Sequence, residues 1–295
     1  MTKREQKLLD IIRRVHGLVD NPDIDKKRQS QEQIGSFLSN SKEITYKEFD
    51  IGGMPAEWVS VNRPHVKKFI ILYCHGGGYC TGSAKYARTI TSKLAMSTSM
   101  DVLAFDYRLA PEYPYPYALE DAMKAWDYLM LLGYGARDII VAGDSAGGNL
   151  ALTLLLRLKK EKRLLAKGLV LLSPWTDLTF SGLSFQKKAK YDPVLNQEYL
   201  YQIREAYADH QNYENPLISP LFGDMKGFPA TYIQVGENEI LYSDAIRLHK
   251  KMTEDNVSVR IDKFEKMWHV FQMSPFKKAY DAIDKCAEFI CEICR

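Results

Sequence analysis

The chain has 295 residues, 46% of them hydrophobic and 26% charged, which is ordinary for a globular protein and excludes disordered and fibrous classes. Its 40 basic and 37 acidic residues are too balanced to predict a nucleic-acid-binding surface. Residues 1–7 lead into an apolar patch too short for a signal peptide, and no window reaches the roughly 18 apolar residues of a membrane span. We therefore expect a cytoplasmic protein that binds no nucleic acid and does not span a membrane.

Two helices and a hairpin are predicted at the N-terminus. Apolar residues recur at helical spacing over residues 8–18, and a break at Asn21-Pro22 precedes a second helical stretch over 26–38. Two alternating, β-rich stretches, 43–51 and 57–62, then flank a Gly-Gly turn. The sheet is therefore expected to open with an antiparallel pair.

From residue 68 onward, short continuous apolar runs alternate with helical stretches, which is typical of strands buried on both faces of a parallel sheet. The predicted strands are 68–74, 102–106, 138–142, 168–172, 230–235 and 257–264. The predicted helices are 86–96, 118–131, 146–160, 244–253 and 277–294. This order predicts a single α/β domain over residues 1–295, with a mostly parallel central sheet flanked by helices.

The stretch from 178 to 228 interrupts the alternation. It is rich in Tyr, Asp, Asn and Pro, with a helical pattern only around 197–208. About fifty residues without a strand inside a compact domain usually form functional structure such as a lid. We predict that residues 178–228, together with residues 1–40, form a helical cap over the carboxyl edge of the sheet.

Ser145 is the first candidate for chemistry, at the centre of Gly143-Asp144-Ser145-Ala146-Gly147. A predicted strand precedes this pentapeptide and a predicted helix follows it. In that context Gly-x-Ser-x-Gly makes a sharp turn that exposes the serine above the sheet. The N-terminus of the following helix also favours developing negative charge. We therefore interpret Ser145 as a nucleophile.

A glycine run follows an earlier strand, in His75-Gly76-Gly77-Gly78. Backbone amides in such a run can approach an oxyanion because no side chain blocks them. We expect the amides of Gly77, Gly78 and Ala146 to form an oxyanion hole. The alternative of a phosphate-binding loop lacks the Lys-Ser/Thr pair that such loops need. His75 itself is interpreted as a hydrogen-bonding support of the loop.

Six histidines are candidates for the general base: His16, His65, His75, His210, His249 and His269. Where a strand–serine–helix turn carries the nucleophile, the chain order is Ser, then acid, then His, with the His after the last strand. Only His269 meets both conditions. The acid is expected after strand 230–235, where Glu237, Glu239 and Asp244 occur. Asp244 resembles a helix-capping residue, and the sequence pattern does not choose between the two glutamates.

Four motifs together resemble the hormone-sensitive-lipase-like carboxylesterases, which are α/β hydrolases. They are His-Gly-Gly-Gly-Tyr from 75, Tyr-Arg-Leu-Ala-Pro-Glu from 107, Gly-Asp-Ser-Ala-Gly-Gly-Asn-Leu from 143 and Ser-Pro-Trp-Thr-Asp-Leu from 173. The likeness runs from about residue 45 to the end of the chain. It implies the α/β-hydrolase fold with a capped active site, a Ser-acid-His triad, no metal or cofactor, and short-chain acyl esters as substrates.

The resemblance also selects an acid. In the family pattern the acid stands two residues before a Leu and about thirty before the His. Glu239 fits both spacings, although most relatives carry Asp there. Glu237 and Asp244 remain rivals for that reason. Arg108 and Glu112, in the second motif, are interpreted as supports of the fold. A homodimer through the last strand or helix is consistent with the family.

The predicted function is therefore a serine carboxylesterase of lipid or xenobiotic ester metabolism, with Ser145, Glu239 and His269 as its triad and a small-molecule ester as its partner. Two alternatives differ from it in class. One is an amidase or peptidase that uses the same triad, because leaving-group preference depends on pocket shape. The other is a noncatalytic ligand-binding protein of the same fold, which the complete set of Ser, acid and His opposes.

The sequence offers no clear metal site. Cys286, Cys291 and Cys294 cluster near the C-terminus, but they lie on a predicted amphipathic helix without the fourth ligand of structural zinc. We interpret them as small apolar residues buried on one face of that helix.

Overall fold

The computed structural model describes residues 24–38, 41–65 and 67–295. The helix predicted over 8–18 lies outside the described residues. The second predicted helix is helix α1, Ile24–Leu38. The guanidinium of Arg28 in this helix is half-buried, and it donates to both carboxylate oxygens of Glu112 and to the carbonyls of Cys80 and Ala110. Because these acceptors lie on loops of the α/β domain, Arg28 fixes α1 to that domain.

Eight strands form one sheet in the order β1-β2-β4-β3-β5-β6-β7-β8. The strands are β1 Ile44–Asp50, β2 Pro55–Val61, β3 Ile70–Cys74, β4 Asp101–Phe105, β5 Ile139–Asp144, β6 Gly168–Leu172, β7 Ala230–Gly236 and β8 Val259–Phe264. The predicted hairpin is β1–β2, and β2 runs antiparallel to β4. All other neighbours are parallel. The predicted mostly parallel sheet is confirmed.

Helices cover both faces of this sheet. They are α2 Ala84–Thr98, α3 Tyr117–Leu131, α4 Ala146–Lys160, α5 Ser184–Lys187, α6 Gln197–Tyr207, α7 Tyr242–Glu254 and α8 Lys277–Ile293. Alternate residues of β3 enter different cores: Leu72 belongs to the apolar cluster that includes residues of α3, α4 and α7, and Ile71 to the one that includes residues of α2 and α8. This period of two, with both sets buried, explains why the strands are continuous apolar runs in the sequence.

The carboxyl ends of the parallel strands meet at one edge. Ser145 follows β5, Ser173 follows β6, Glu239 lies three residues after β7, and His269 lies five residues after β8. Parallel strands carry their connections at corresponding ends, so residues far apart in the chain become neighbours here. The sheet therefore positions the candidate site.

Residues 178–228 contain no strand, as predicted, and their helices are the short α5 and the longer α6. Asn196 caps α6 by accepting a hydrogen bond from the amide of Tyr199 at 2.7 Å. Backbone hydrogen bonds tie the segment to the domain, from Tyr115 to the carbonyl of Tyr207 and from Leu221 to that of Thr176.

The interpretation of Arg108 as a support agrees with its contacts. Its guanidinium donates a bidentate hydrogen bond to the carboxylate of Asp121 on α3 and stacks over the ring of Tyr117. The C-terminal cysteines are partly as predicted: Cys286 is buried on α8, but Cys291 and Cys294 are only half-buried. Within the described ranges no cluster of three or more metal-ligating side chains occurs, and no helix there is long and apolar enough to cross a membrane.

Candidate active site

Ser145 occupies the turn between β5 and α4, where it stands at the N-cap position with φ +53° and ψ −122°. This is an unfavourable backbone conformation for a residue with a Cβ. Hydrogen bonds on both sides hold it, from the Ser145 amide to the carbonyl of Leu172 and from the Trp175 amide to the carbonyl of Ser145. The turn leaves the hydroxyl at the edge of the sheet while the rest of the pentapeptide is buried.

The glycines of this turn are needed for close packing. A Cβ on Gly147 would collide with the carbonyl oxygens of Cys74 and His75, and one on Gly143 would collide with the carbonyl of Gly147. Backbone in contact at these points brings α4 against β3 and the glycine-rich loop after it. The Gly-x-Ser-x-Gly pattern therefore reports a packing requirement as well as a turn.

His269 lies between Ser145 and Glu239. Its Nε2 is 2.9 Å from the hydroxyl of Ser145, and its Nδ1 is 3.1 Å from Oε2 of Glu239. Burial lowers the pKa of His269, but the hydrogen bond and the charge of Glu239 outweigh it, so the pKa lies above its usual value. A carboxylate at Nδ1 also fixes the tautomer that leaves Nε2 free to accept the serine proton.

The other two acidic candidates stand elsewhere. Glu237 is half-buried, and its backbone amide donates to the carbonyl of Phe264. Asp244 is in the first turn of α7, as predicted, but its buried carboxylate accepts hydrogen bonds from the amides of Thr176 and Asp177 instead of capping its own helix. Burial and the neighbouring charge of Asp177 raise the pKa of Asp244 to about 7.

The glycine-rich loop after β3 approaches the same edge. Gly77 and Gly78 have positive φ, at +117° and +63°. In the described part of the chain, neither of their amides donates to a backbone carbonyl. The amide of Ala146 belongs to the first turn of α4, where helical amides have no partner within the helix. All three predicted donors are therefore uncommitted to the fold.

Two buried side chains anchor this loop. Asp144 accepts hydrogen bonds from the hydroxyl of Tyr73 and the amide of Gly76, which links the end of β5 to the loop. His75 contacts the carbonyl of Gly76 through Nδ1 and stacks on Tyr107, with ring centroids 4.1 Å apart. Burial lowers the pKa of His75 to about 4, so its ring is neutral and supports the loop without charge.

The remaining described histidines are distant from this cluster in the fold. His65 contacts Asp101 at the opposite end of the sheet, at 2.8 Å. His210 is exposed between α6 and β7, and His249 is half-buried on α7. His16 lies outside the described residues.

Three residues near the site were missed by sequence reasoning. Asp192 accepts hydrogen bonds from the amides of Ile240, Val194 and Leu195, and burial raises its pKa to about 6. Ile203 on α6 lies directly over the glycine-rich loop, where a Cβ on Gly78 would collide with its Cδ1. Ser173 was quoted only as part of a motif, but it touches Glu239. The contacts of Asp192 with Ile240, of Ile203 with Gly78 and of Ser173 with Glu239 join distant parts of the chain, so the sequence gives no local signal of them.

Comparisons with known proteins bear on the fold and on the class of enzyme. The family model described as the α/β hydrolase fold matches residues 71–273. An esterase of Acinetobacter venetianus is 40% identical over 88% of this chain and 86% of its own length, and an acetyl-hydrolase of Streptomyces hygroscopicus is 35% identical over 75% and 73%. A crystal structure of an esterase from the bacterial hormone-sensitive lipase family superposes with a TM-score of 0.90 and 33% identity, covering 98% of both chains.

The fold and the edge site define an α/β hydrolase. At these identities and coverages the chain belongs to the hormone-sensitive-lipase-like family of carboxylic ester hydrolases. The predictions of fold class and of enzyme class are both confirmed.

Proposed function

We propose that this enzyme hydrolyses short-chain acyl esters through an acyl-enzyme intermediate on Ser145, with Glu239 and His269 completing its triad. The observation that carries the proposal is the contact of His269 with Ser145 on one ring nitrogen, at 2.9 Å, and with Glu239 on the other, at 3.1 Å. A nucleophile, a base in hydrogen-bonding reach and a third group that orients the base are the requirements for activating a serine.

The reaction proceeds in two halves. The hydroxyl oxygen of Ser145 bonds to the ester carbonyl carbon while Nε2 of His269 takes its proton, and the tetrahedral intermediate then breaks the bond to the alcohol, which leaves with that proton. Water repeats the sequence on the acyl-enzyme and releases the acid. Glu239 accepts a hydrogen bond from the Nδ1–H group of His269 and stabilises the imidazolium in both halves of the reaction. The ester, water and these side chains balance the reaction, and no cofactor or metal enters it.

The amides of Gly77, Gly78 and Ala146 are proposed as the oxyanion hole. Among the described residues the two glycine amides have no backbone acceptor, and the amide of Ala146 begins α4, so all three can donate to the developing oxyanion. The helix dipole of α4 adds to this stabilisation because its positive end faces the same point.

We propose residues 178–228, with residues 1–40, as the cap of a single domain, and a short acyl chain as its preference. Support comes from Ile203 on α6, whose side chain occupies the space over Gly78. A long acyl chain at the oxyanion loop would have to displace that side chain. The matched relative named acetyl-hydrolase points to the same substrate class.

The direct test replaces the nucleophile. Ser145→Ala is expected to lower kcat on p-nitrophenyl butyrate at least about 10⁴-fold and to abolish covalent labelling by a fluorophosphonate, with an unchanged circular dichroism spectrum. Ser258→Ala is the matched control, since Ser258 is an exposed serine before β8. Hydrolysis by Ser145→Ala at more than about a tenth of the wild-type rate would contradict the proposal.

A panel of substrates tests the proposed preference for short acyl chains and for esters over amides. We expect acetate and butyrate esters to exceed the octanoate ester in kcat/KM, and each matched amide to react at least about 10²-fold more slowly than its ester. An amide that reacts as fast as its ester would favour the amidase alternative.

We also propose a homodimer through β8 or α8. Strand β8 lies at an edge of the sheet and is available for pairing. Light scattering coupled to size exclusion is expected to give twice the chain mass, and a monomer at micromolar concentration would contradict it.

A further inference from the structure

We infer that Ser173 is a positioning residue, whose hydroxyl holds the carboxylate of Glu239 and the backbone beside His269 in one arrangement. The inference rests on the proposed triad and adds a member to it that acts only through Glu239 and His269. It is carried by hydrogen bonds at the end of β6.

The two oxygens of Glu239 have separate partners. Oε1 accepts hydrogen bonds from the hydroxyl of Ser173, at 2.6 Å, and from the amide of Gly236, at 2.5 Å. Oε2 is left to face Nδ1 of His269. Because both donors hold the same oxygen, rotation of the carboxylate would break two hydrogen bonds in a fully buried place. The arrangement therefore aims one oxygen at the imidazole.

The direction of the Ser173 hydroxyl is determined by its neighbours. The amide of Val270 donates to the Ser173 oxygen at 3.1 Å, and an amide can only donate. The hydroxyl proton therefore points to Glu239, which as a carboxylate can only accept. Ser173 thus connects the acid to the residue that follows His269.

The loop of His269 needs such support. Val270 has φ +48°, a conformation that a β-branched residue adopts only where its surroundings hold it. Ser173 holds its amide, and the ammonium of Lys93 donates to the carbonyls of Gln272 and Ser274 further along. The hydroxyl therefore acts on the imidazole from two sides, through the acid and through the backbone.

This contact also explains how Glu serves at a position where the resemblance predicts Asp. A side chain shorter by one methylene, starting from the same backbone, would withdraw its carboxylate by roughly 1.5 Å. The hydrogen bond from Ser173 at 2.6 Å would then be lost or lengthened. The hydroxyl of Ser173 thus fits the longer side chain present here.

A double-mutant cycle tests the inference. Ser173→Ala is expected to lower kcat on p-nitrophenyl butyrate about 10-fold with KM within about twofold, because Ser173 is buried beneath the site. In a Glu239→Ala background the same change is expected to alter kcat less than about twofold, since its main route to the imidazole is already absent.

Two further variants keep the test decisive. Ser173→Gly removes the same hydroxyl and suits the backbone φ of +49°, so it replaces Ser173→Ala if that variant fails to fold. Thr231→Val is the matched control, because it removes a buried hydroxyl bound to the carbonyl of Pro229 at the opposite end of β7. It should leave kcat unchanged.

The outcomes are distinct. Equal losses from Ser173→Ala in both backgrounds, or a loss below twofold in the wild type, would overturn the positioning role and leave the proposed triad intact. A Glu239→Ala enzyme as active as the wild type would overturn the triad itself.

Discussion

The carboxyl edge of the sheet and the segment 178–228 above it are held in different ways. At the edge, Ser145, Glu239 and His269 each stand within five residues of a parallel strand, and main-chain hydrogen bonds of the sheet set their separation. The segment above has no strand. It is held by single backbone hydrogen bonds, such as that from Tyr115 to Tyr207, and by side-chain contacts, such as that of Ile203 with the glycine-rich loop.

The difference indicates which properties each region controls. Sheet register changes only with the whole fold, so the edge suits groups that need fixed distances. Side-chain contacts can change one residue at a time without loss of the fold. We therefore expect substitutions at the edge to affect the rate of reaction and substitutions in the segment above it to affect the choice of substrate.

The largest effect after removal of the nucleophile is expected for Glu239→Gln. A neutral amide no longer raises the pKa of His269, and burial then lowers it. We expect kcat/KM on p-nitrophenyl acetate to fall about 10³-fold. The acid limb of the variant's pH–rate profile should also move to lower pH, because the imidazole of His269 then stays unprotonated to a lower pH.

The matched control is Glu237→Gln, which changes the half-buried neighbour two residues away. It should leave both the rate and the acid limb unchanged. If Glu237→Gln gave the larger loss, the acid would be misassigned and the distance between Glu239 and His269 would not report its function.

A smaller effect, on selectivity, is expected for Ile203→Ala. Removing the side chain over Gly78 opens space beside the glycine-rich loop, so the ratio of kcat/KM for hexanoate over acetate esters should rise about 10-fold. The free energy of unfolding should fall by about 2–4 kcal/mol, as for other buried Ile→Ala changes. Gln202→Ala, an exposed neighbour on α6, should change neither. An unchanged ratio would separate Ile203 from acyl-chain selection.

The smallest effect is expected where α1 meets the domain, in Glu112→Gln. The hydrogen bond from Arg28 lowers the pKa of Glu112 to about 2. A lowered carboxyl pKa contributes stability above the ordinary value near 4.5 and loses it as the pH falls towards 2. Half the Glu112 side chain is exposed, so we expect a loss below about 1 kcal/mol at pH 7.

Denaturant unfolding at several pH values measures this effect. The difference in unfolding free energy between wild type and Glu112→Gln should shrink between about pH 5 and pH 2. Glu214→Gln, at an exposed position, is the matched control. A difference independent of pH would show that the contact with Arg28 contributes nothing through charge.

Much of this architecture was predictable because it depends on local sequence. All six helical stretches predicted after residue 80 occur within about two residues of their predicted ends, and β6 occurs at the predicted positions 168–172. Buried strands and amphipathic helices can be predicted from the spacing of apolar residues. The turn at Ser145 was equally readable, since only small residues fit between β3, β5 and α4.

Other features had no local signal. The choice of Glu239 over Glu237 rested on resemblance alone, and the contact of Arg28 with Glu112 joins residues 84 positions apart. Asp192, Ile203 and Ser173 are unremarkable in the sequence, and their importance arises from neighbours that only the fold brings near.

The sequence by itself thus determined the order of strands and helices, the strained serine turn and the position of a histidine after the last strand, because each depends on residues adjacent in the chain. Only the tertiary structure decided that the carboxylate at Nδ1 of His269 belongs to Glu239 and that Ser173 stands behind it. Those contacts join the ends of β6, β7 and β8, and their distances follow from the packing of parallel strands, which no stretch of sequence specifies alone.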